Sequence, residues 1–274
     1  MTGDAQTVEA NYARSYGQHD FVATDGEVVS VVSEPTWESF YRRLESSERL
    51  GDFVLSPERI TFPIGLKDIP DCQADIEKRV ADVQELSLER PDTTIVLGTP
   101  TFNNPTGRPA NSLVFITAGE IAAQTNKGFS TYPAEERVFT LRQAMASRTT
   151  AQAFAGMVCS DILDEGTGNG YEVNGERDSV QRITADTRTV LLSACWAIPL
   201  VGVPEAVMSS GNHELRFRRQ LEGRIALLFA RNPGVREVIV ADRLPPGSKL
   251  DAPYNGHFTR AAEPGSTLDA AAVA

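Results

Sequence analysis

Three short segments of the chain each end in a side chain suited to carbonyl chemistry, and each supplies a different group. Asp52-Phe53-Val54-Leu55-Ser56-Pro57-Glu58 delivers a carboxylate. The run opened by Asn111-Ser112 and continued by Leu113, Val114, Phe115 and Ile116 leads on to the ammonium of Lys127. Gly156-Met157-Val158-Cys159-Ser160-Asp161 delivers a thiol. A thiol is mostly protonated at neutral pH and needs a base within hydrogen-bond reach before it attacks carbon. A carboxylate can be that base, and a fixed ammonium can stabilise the negative charge that then develops on oxygen or nitrogen. The three groups would suffice for thiol-based acyl transfer, provided that the fold brings them to one place.

Taken singly, each residue also has an ordinary use. Glu58 behind Pro57 fits the opening of a helix, where the dipole favours an early carboxylate. Lys127, in Asn126-Lys127-Gly128, has the composition of an exposed turn. Cys159 closes an apolar run and fits a small, inert core residue. The elements that carry these residues must decide between the two sets of meanings.

Residues 27–32 form a β-branched run that predicts a first strand. Pro35 then opens a helical pattern with Trp37, Phe40, Tyr41 and Leu44 on one face. A strand over 53–55 follows, then a helix capped by Asp71 with Ile76, Val80, Val83 and Leu86 aligned. A strand over 93–97 precedes a hairpin, 112–117 and 121–123, turning at Ala118-Gly119-Glu120. Strands are expected over 154–158, 189–193 and 235–241. A long helix over 214–231, capped by Asn212, would present Leu221, Ile225 and Leu228. Alternating strands and helices with paired strands in the middle predict a layered α/β fold with mixed sheets. Residues 1–24 lack periodicity and are expected to be an N-terminal arm, and 261–274 a flexible C-terminal tail. No repeat or linker divides residues 25–260, so one domain is expected.

The net charge of −11 argues against nucleic acid or an anionic membrane as partner, because both carry the same sign. Three widely spaced cysteines (Cys72, Cys159, Cys195) predict no disulfide framework and a reducing compartment. The three histidines are scattered and no cysteine pair sits at metal-ligand spacing, so a metal site is not expected. No segment reads as a secretory signal or a membrane span, which predicts a cytoplasmic protein.

The ordered succession of motifs resembles the nitrilase superfamily, the carbon–nitrogen hydrolases. That family's catalytic Glu follows a strand of the form D-x-V-x-x-P-E, as Glu58 does. Its Lys follows a hairpin opened by N-S and turned at G-E or G-K, matched here by Asn111-Ser112, Gly119-Glu120 and Lys127, with Glu135 downstream. Its Cys follows a strand preceded by Gly, with an acid two residues on, as in Gly156, Cys159 and Asp161. Leu191-Leu192-Ser193-Ala194-Cys195-Trp196 is similar to a later family strand. The likeness runs from about residue 28 to residue 260.

The resemblance implies a four-layer α-β-β-α sandwich, a homodimer, and a small-molecule amide or nitrile as substrate. It implies Cys159 as nucleophile, Glu58 as general base and acid, and Lys127 as stabiliser of the developing anion. Glu135 would be a second carboxylate, with Glu136 adjacent to it. A catalytically silent binding subunit would use the same fold, and transfer to an amine acceptor would use the same triad. The glycine-rich stretch 164–175 does not match a phosphate loop and carries acids that repel phosphate, so it reads as an insertion beside the nucleophile.

Overall fold

A computed structural model describes residues 8–62, 68–102, 108–127, 138, 153–159, 161–162, 172–173, 176–177, 183, 186–195, 213–245, 248 and 250–261. Two sheets dominate it. One carries β2 (Gly17–Val22), β3 (Val28–Ser33), β4 (Phe53–Leu55), β5 (Thr94–Thr101), β6 (Ala110–Thr117) and β7 (Glu120–Asn126), in that spatial order. The other runs β1 (Val8–Ala13), β13 (Asn255–Arg260), β12 (Glu237–Arg243), β11 (Thr189–Cys195), β8 (Phe154–Val158). Both mix parallel and antiparallel pairs; β3-β4-β5 and β8-β11-β12 are the parallel parts.

The period of two along each strand sorts side chains between two cores. Val29, Val31, Leu55, Val96, Leu113 and Phe115 of the first sheet meet Phe154, Val158, Leu191, Ile239 and Ala241 of the second. The alternate residues face helices. Val32, Val54, Ile95 and Val114 pack under α1 (Trp37–Ser46) and α2 (Gln73–Leu88). Val190, Leu192, Val238 and Val240 pack under α3 (His213–Arg231), through Phe217, Leu221, Ile225 and Leu228. The result is the four-layer α-β-β-α sandwich that the resemblance implies. Among the described residues, no helix is long and apolar enough to cross a membrane.

Two local expectations are corrected. Asp71 does not cap α2; it lies in a short 3-10 turn, Pro70–Cys72, and Cys72 occupies the cap position with no side-chain bond. Within 1–24, residues expected to form an arm are instead the strands β1 and β2. β1 pairs with β13 along its full length, and β2 pairs with β3. Their sequences hide this because each borders only one partner strand, and half-exposed edge strands carry polar residues freely. Residues 262–274 lie outside the described residues. Of the glycine-rich stretch, 172–173 belong to β9 (Glu172–Val173), which pairs with β10 (Glu176–Arg177).

Candidate active site

The hairpin of β6 and β7 delivers the ammonium. Ser112 pairs with Asn126, so the next residues outward, Asn111 and Lys127, lie side by side, and Lys127 N donates to Asn111 O at 2.7 Å. A one-residue register shift between Phe115 and Ile116 sets this alignment. Both side chains then reach the same atom. Lys127 Nζ lies 2.8 Å from Glu58 Oε1, and Asn111 Nδ2 donates to Glu58 Oε1 at 2.6 Å. Lys127 is 3% exposed and Glu58 1%, so Lys127 is not the exposed turn residue that its local composition suggests.

Glu58 does not open a helix. It stands in a turn over residues 58–61, and Arg59 behind it takes a left-handed φ of 52°. Arg59 Nε adds a second positive charge 4.0 Å from Glu58 Oε1. Burial alone would raise the Glu58 carboxyl, but Lys127, then Arg59, and the hydrogen bonds from Lys127 and Asn111 outweigh it. The carboxyl is held down near about 2, so it is ionised throughout the neutral range.

Cys159 follows β8 in a left-handed turn, φ 46°, a conformation that a non-glycine residue holds only when its surroundings enforce it. The enforcing contacts are local. Cys159 N donates to Ser193 O at 2.8 Å, Val158 N to the Asp161 carboxylate at 3.1 Å, and Ile162 N to Cys159 O at 3.3 Å. Cys159 is half-buried, whereas Cys195 is buried.

Strand β11 ties the thiol turn to the carboxylate turn. Cys159 N bonds Ser193 O, and Glu58 N bonds the next carbonyl, Ala194 O, at 3.1 Å. Ser193 Oγ also donates to Ser56 O at 2.8 Å, across the sheets. Gly98 of β5 makes this approach possible: a Cβ there would run into Pro57 O and stand 2.7 Å from Ser193 Oγ. Gly156 plays a similar part on β8, where a Cβ would stand 2.9 Å from Thr125 Cγ2 of β7.

Three of the four expected site residues are thus described, and the fourth, Glu135, lies outside the described residues, as does Glu136. Four further residues join the site: Asn111, Arg59, Cys195 and Arg243. Asn111 stood in the N-S pair, but only as a strand opener. Cys195 stood in the 191–196 strand motif without a role, and Arg59 and Arg243 gave no local signal. Among the described residues no three His, Cys, Asp or Glu side chains gather as a metal site would need.

No family model matches the sequence, and no curated protein matches it. Solved structures do. The chain superposes with TM-score 0.55 and 15% identity on a glutamine-dependent NAD+ synthetase from Acinetobacter baumannii, over 91% of this chain and 40% of that one. The chain therefore spans well under half of the synthetase. An amidase of the nitrilase superfamily from Nesterenkonia matches with TM-score 0.53 and 12% identity, over 94% of this chain and 91% of the amidase. A carbon–nitrogen hydrolase from Helicobacter pylori matches with TM-score 0.54 and 15% identity, over 90% and 80% of the two chains. At these identities the likeness is one of fold, shared with an amidase of the nitrilase superfamily and a carbon–nitrogen hydrolase.

Proposed function

We propose that this protein is a thiol-dependent hydrolase of non-peptide carbon–nitrogen bonds, acting on a small amide or nitrile. The observation that carries this reading is the docking of the Cys159 and Glu58 turns on successive carbonyls of β11, with Lys127 and Asn111 sealed against the carboxylate. Amidase-type relatives of the same fold support the reading at the level of reaction class.

For an amide, Glu58 takes the thiol proton as the Cys159 sulfur bonds to the carbonyl carbon. Charge moves onto the oxygen, where the Lys127 ammonium is the stabilising donor. In the resting site Lys127 makes Glu58 a weak base. As Lys127 turns part of its attraction to the new oxyanion, the carboxylate regains proton affinity when it must hold a proton. Glu58 then gives that proton to the departing nitrogen, the C–N bond breaks, and a thioester remains. Water, deprotonated by Glu58, splits the thioester and restores the thiol.

The test is ammonia release from a panel of amides, ureas and nitriles, with Cys159→Ala as control. Turnover that survives Cys159→Ala would sink the proposal. Iodoacetamide gives a substrate-free second test: Cys159 should be modified far faster than Cys195, whose thiol burial pushes up. Equal, slow labelling of all three cysteines would count against the enzyme reading.

A further inference from the structure

The last residue of β12, Arg243, is 5% exposed and belongs to the sheet opposite the one that carries Glu58. Its Nη2 donates to Arg59 O at 2.7 Å and to Phe62 O at 3.1 Å, two carbonyls of the chain that leaves Glu58. Arg59 is the residue with left-handed φ, and its carbonyl also accepts from Phe62 N at 2.9 Å. Other bonds hold the same stretch: Glu58 N to Ala194 O, Ile60 N to Gly98 O, and Arg79 of α2 to Thr61 O. Arg243 closes the remaining side, from across the interface.

A neutral amide would suffice to hold two carbonyls. A buried guanidinium costs several kcal/mol of desolvation, on the order of the penalty for any buried ion. The groups around it show what the charge does. Cys195, its register partner on β11, lies beside it, as do Arg59 and Glu58. Asp242 precedes it, but that carboxylate accepts from Tyr254 N at 2.8 Å. Arg243 is thus a third cation, with Lys127 and Arg59, around the one carboxylate of the Glu58 turn.

We propose that Arg243 is a positioning residue for Glu58: it fixes the turn from the opposite sheet and keeps the carboxylate aimed. The inference rests on the active-site reading above. Arg243 touches no reacting atom in this account, and its effect passes through Glu58.

Two variants separate the parts of its role. Arg243→Lys keeps the charge but loses the planar guanidinium whose Nη2 serves both carbonyls. Arg243→Gln keeps a donor and loses the charge. The readout is the pH dependence of Cys159 alkylation by iodoacetamide, followed by peptide mass spectrometry, together with hydrogen exchange of residues 56–62. Arg243→Gln should slow alkylation at neutral pH by about tenfold or more and displace the pH profile. Arg243→Lys should recover part of the rate, and in both variants exchange should rise in 56–62 while β6 and β7 stay protected. With a turnover substrate, kcat should fall with KM little changed.

A lowered melting temperature with an unchanged pH profile would overturn the proposal, leaving Arg243 a purely structural tie. Failure of both variants to fold would overturn it in the same way. The underlying reading fails separately, and takes the inference with it, if unmodified protein shows no preferential labelling of Cys159 or if Glu58→Gln leaves that labelling unchanged.

Discussion

Lys127 Nζ stands 2.8 Å from Glu58 Oε1, and both side chains are sealed from water although 69 residues separate them in sequence. A buried pair of this kind is costly to make and costlier to break. Replacing Lys127 by Met takes the nearest cation from the buried carboxylate, leaving Asn111 and the more distant Arg59, and should destabilise the fold by about 3–5 kcal/mol. The double variant Glu58→Gln with Lys127→Met should recover a large part of that loss. Urea unfolding of the four proteins gives the coupling, and additive losses would contradict a shared ion pair.

Glu58→Gln alone asks a chemical question. The amide can still accept from Asn111 and Lys127, so the turn should keep its shape. Turnover should nevertheless fall roughly 100- to 10,000-fold, the usual worth of a general acid–base group. Rates within twofold of the parent protein would remove Glu58 from the mechanism.

The two close-approach glycines should not respond alike. A methyl at Gly98 meets the backbone carbonyl of Pro57, which cannot yield without moving Glu58. A methyl at Gly156 meets the outer atoms of Thr125, Leu113 and Phe115 side chains. Gly98→Ala should cost about 1–3 kcal/mol and also slow Cys159 alkylation, whereas Gly156→Ala should cost less and leave alkylation nearly untouched. Paired urea melts and labelling rates check both.

Acid should unfold the protein through identifiable carboxyls. Glu237 is buried at the end of β12 remote from the site, accepting from Thr24 N at 2.9 Å and Thr189 Oγ1 at 2.6 Å, with His257 Nε2 2.7 Å away. Burial would raise its carboxyl, but His257, Thr189 and Thr24 together hold it below the ordinary value. Glu58 is also held down, from the ordinary 4.5 to about 2. A folded-state value below the unfolded one adds stability that is complete above about 4.5 and is lost as pH falls through the folded value. Stability from urea melts should therefore be level above pH 5 and decline toward pH 2–3, less steeply in Glu237→Gln. An equal slope in that variant would clear Glu237 of the effect.

Much of this arrangement was legible in the sequence because it rests on local pattern. The faces of α1 and α3, the β6–β7 hairpin and the strand before Cys159 all follow from periodicity and turn chemistry. Lys127 was harder, since its neighbours Asn126 and Gly128 describe a turn. Only the pairing register places its side chain inside. Arg243 was out of reach, and Cys195 entered only as part of a strand motif with no role of its own. Each sits at the end of an apolar strand, and what gives them meaning is the opposite sheet, which no local window contains. β1 and β2 were missed for the converse reason: edge strands need no apolar alternation to pair.

The pairing of β1 with β13 has a consequence for how the molecule is made. Val8 lies opposite Arg260, so β1 waits for a partner that is made about 250 residues later. Contacts between segments so distant in sequence close late and slow folding. The sheet that carries Cys159 cannot take in β1 until β13 has been made, while β2 to β7 can assemble much earlier. During that interval β1 waits without the strand it pairs with, and a ribosome-bound chain would be most prone to mispairing there.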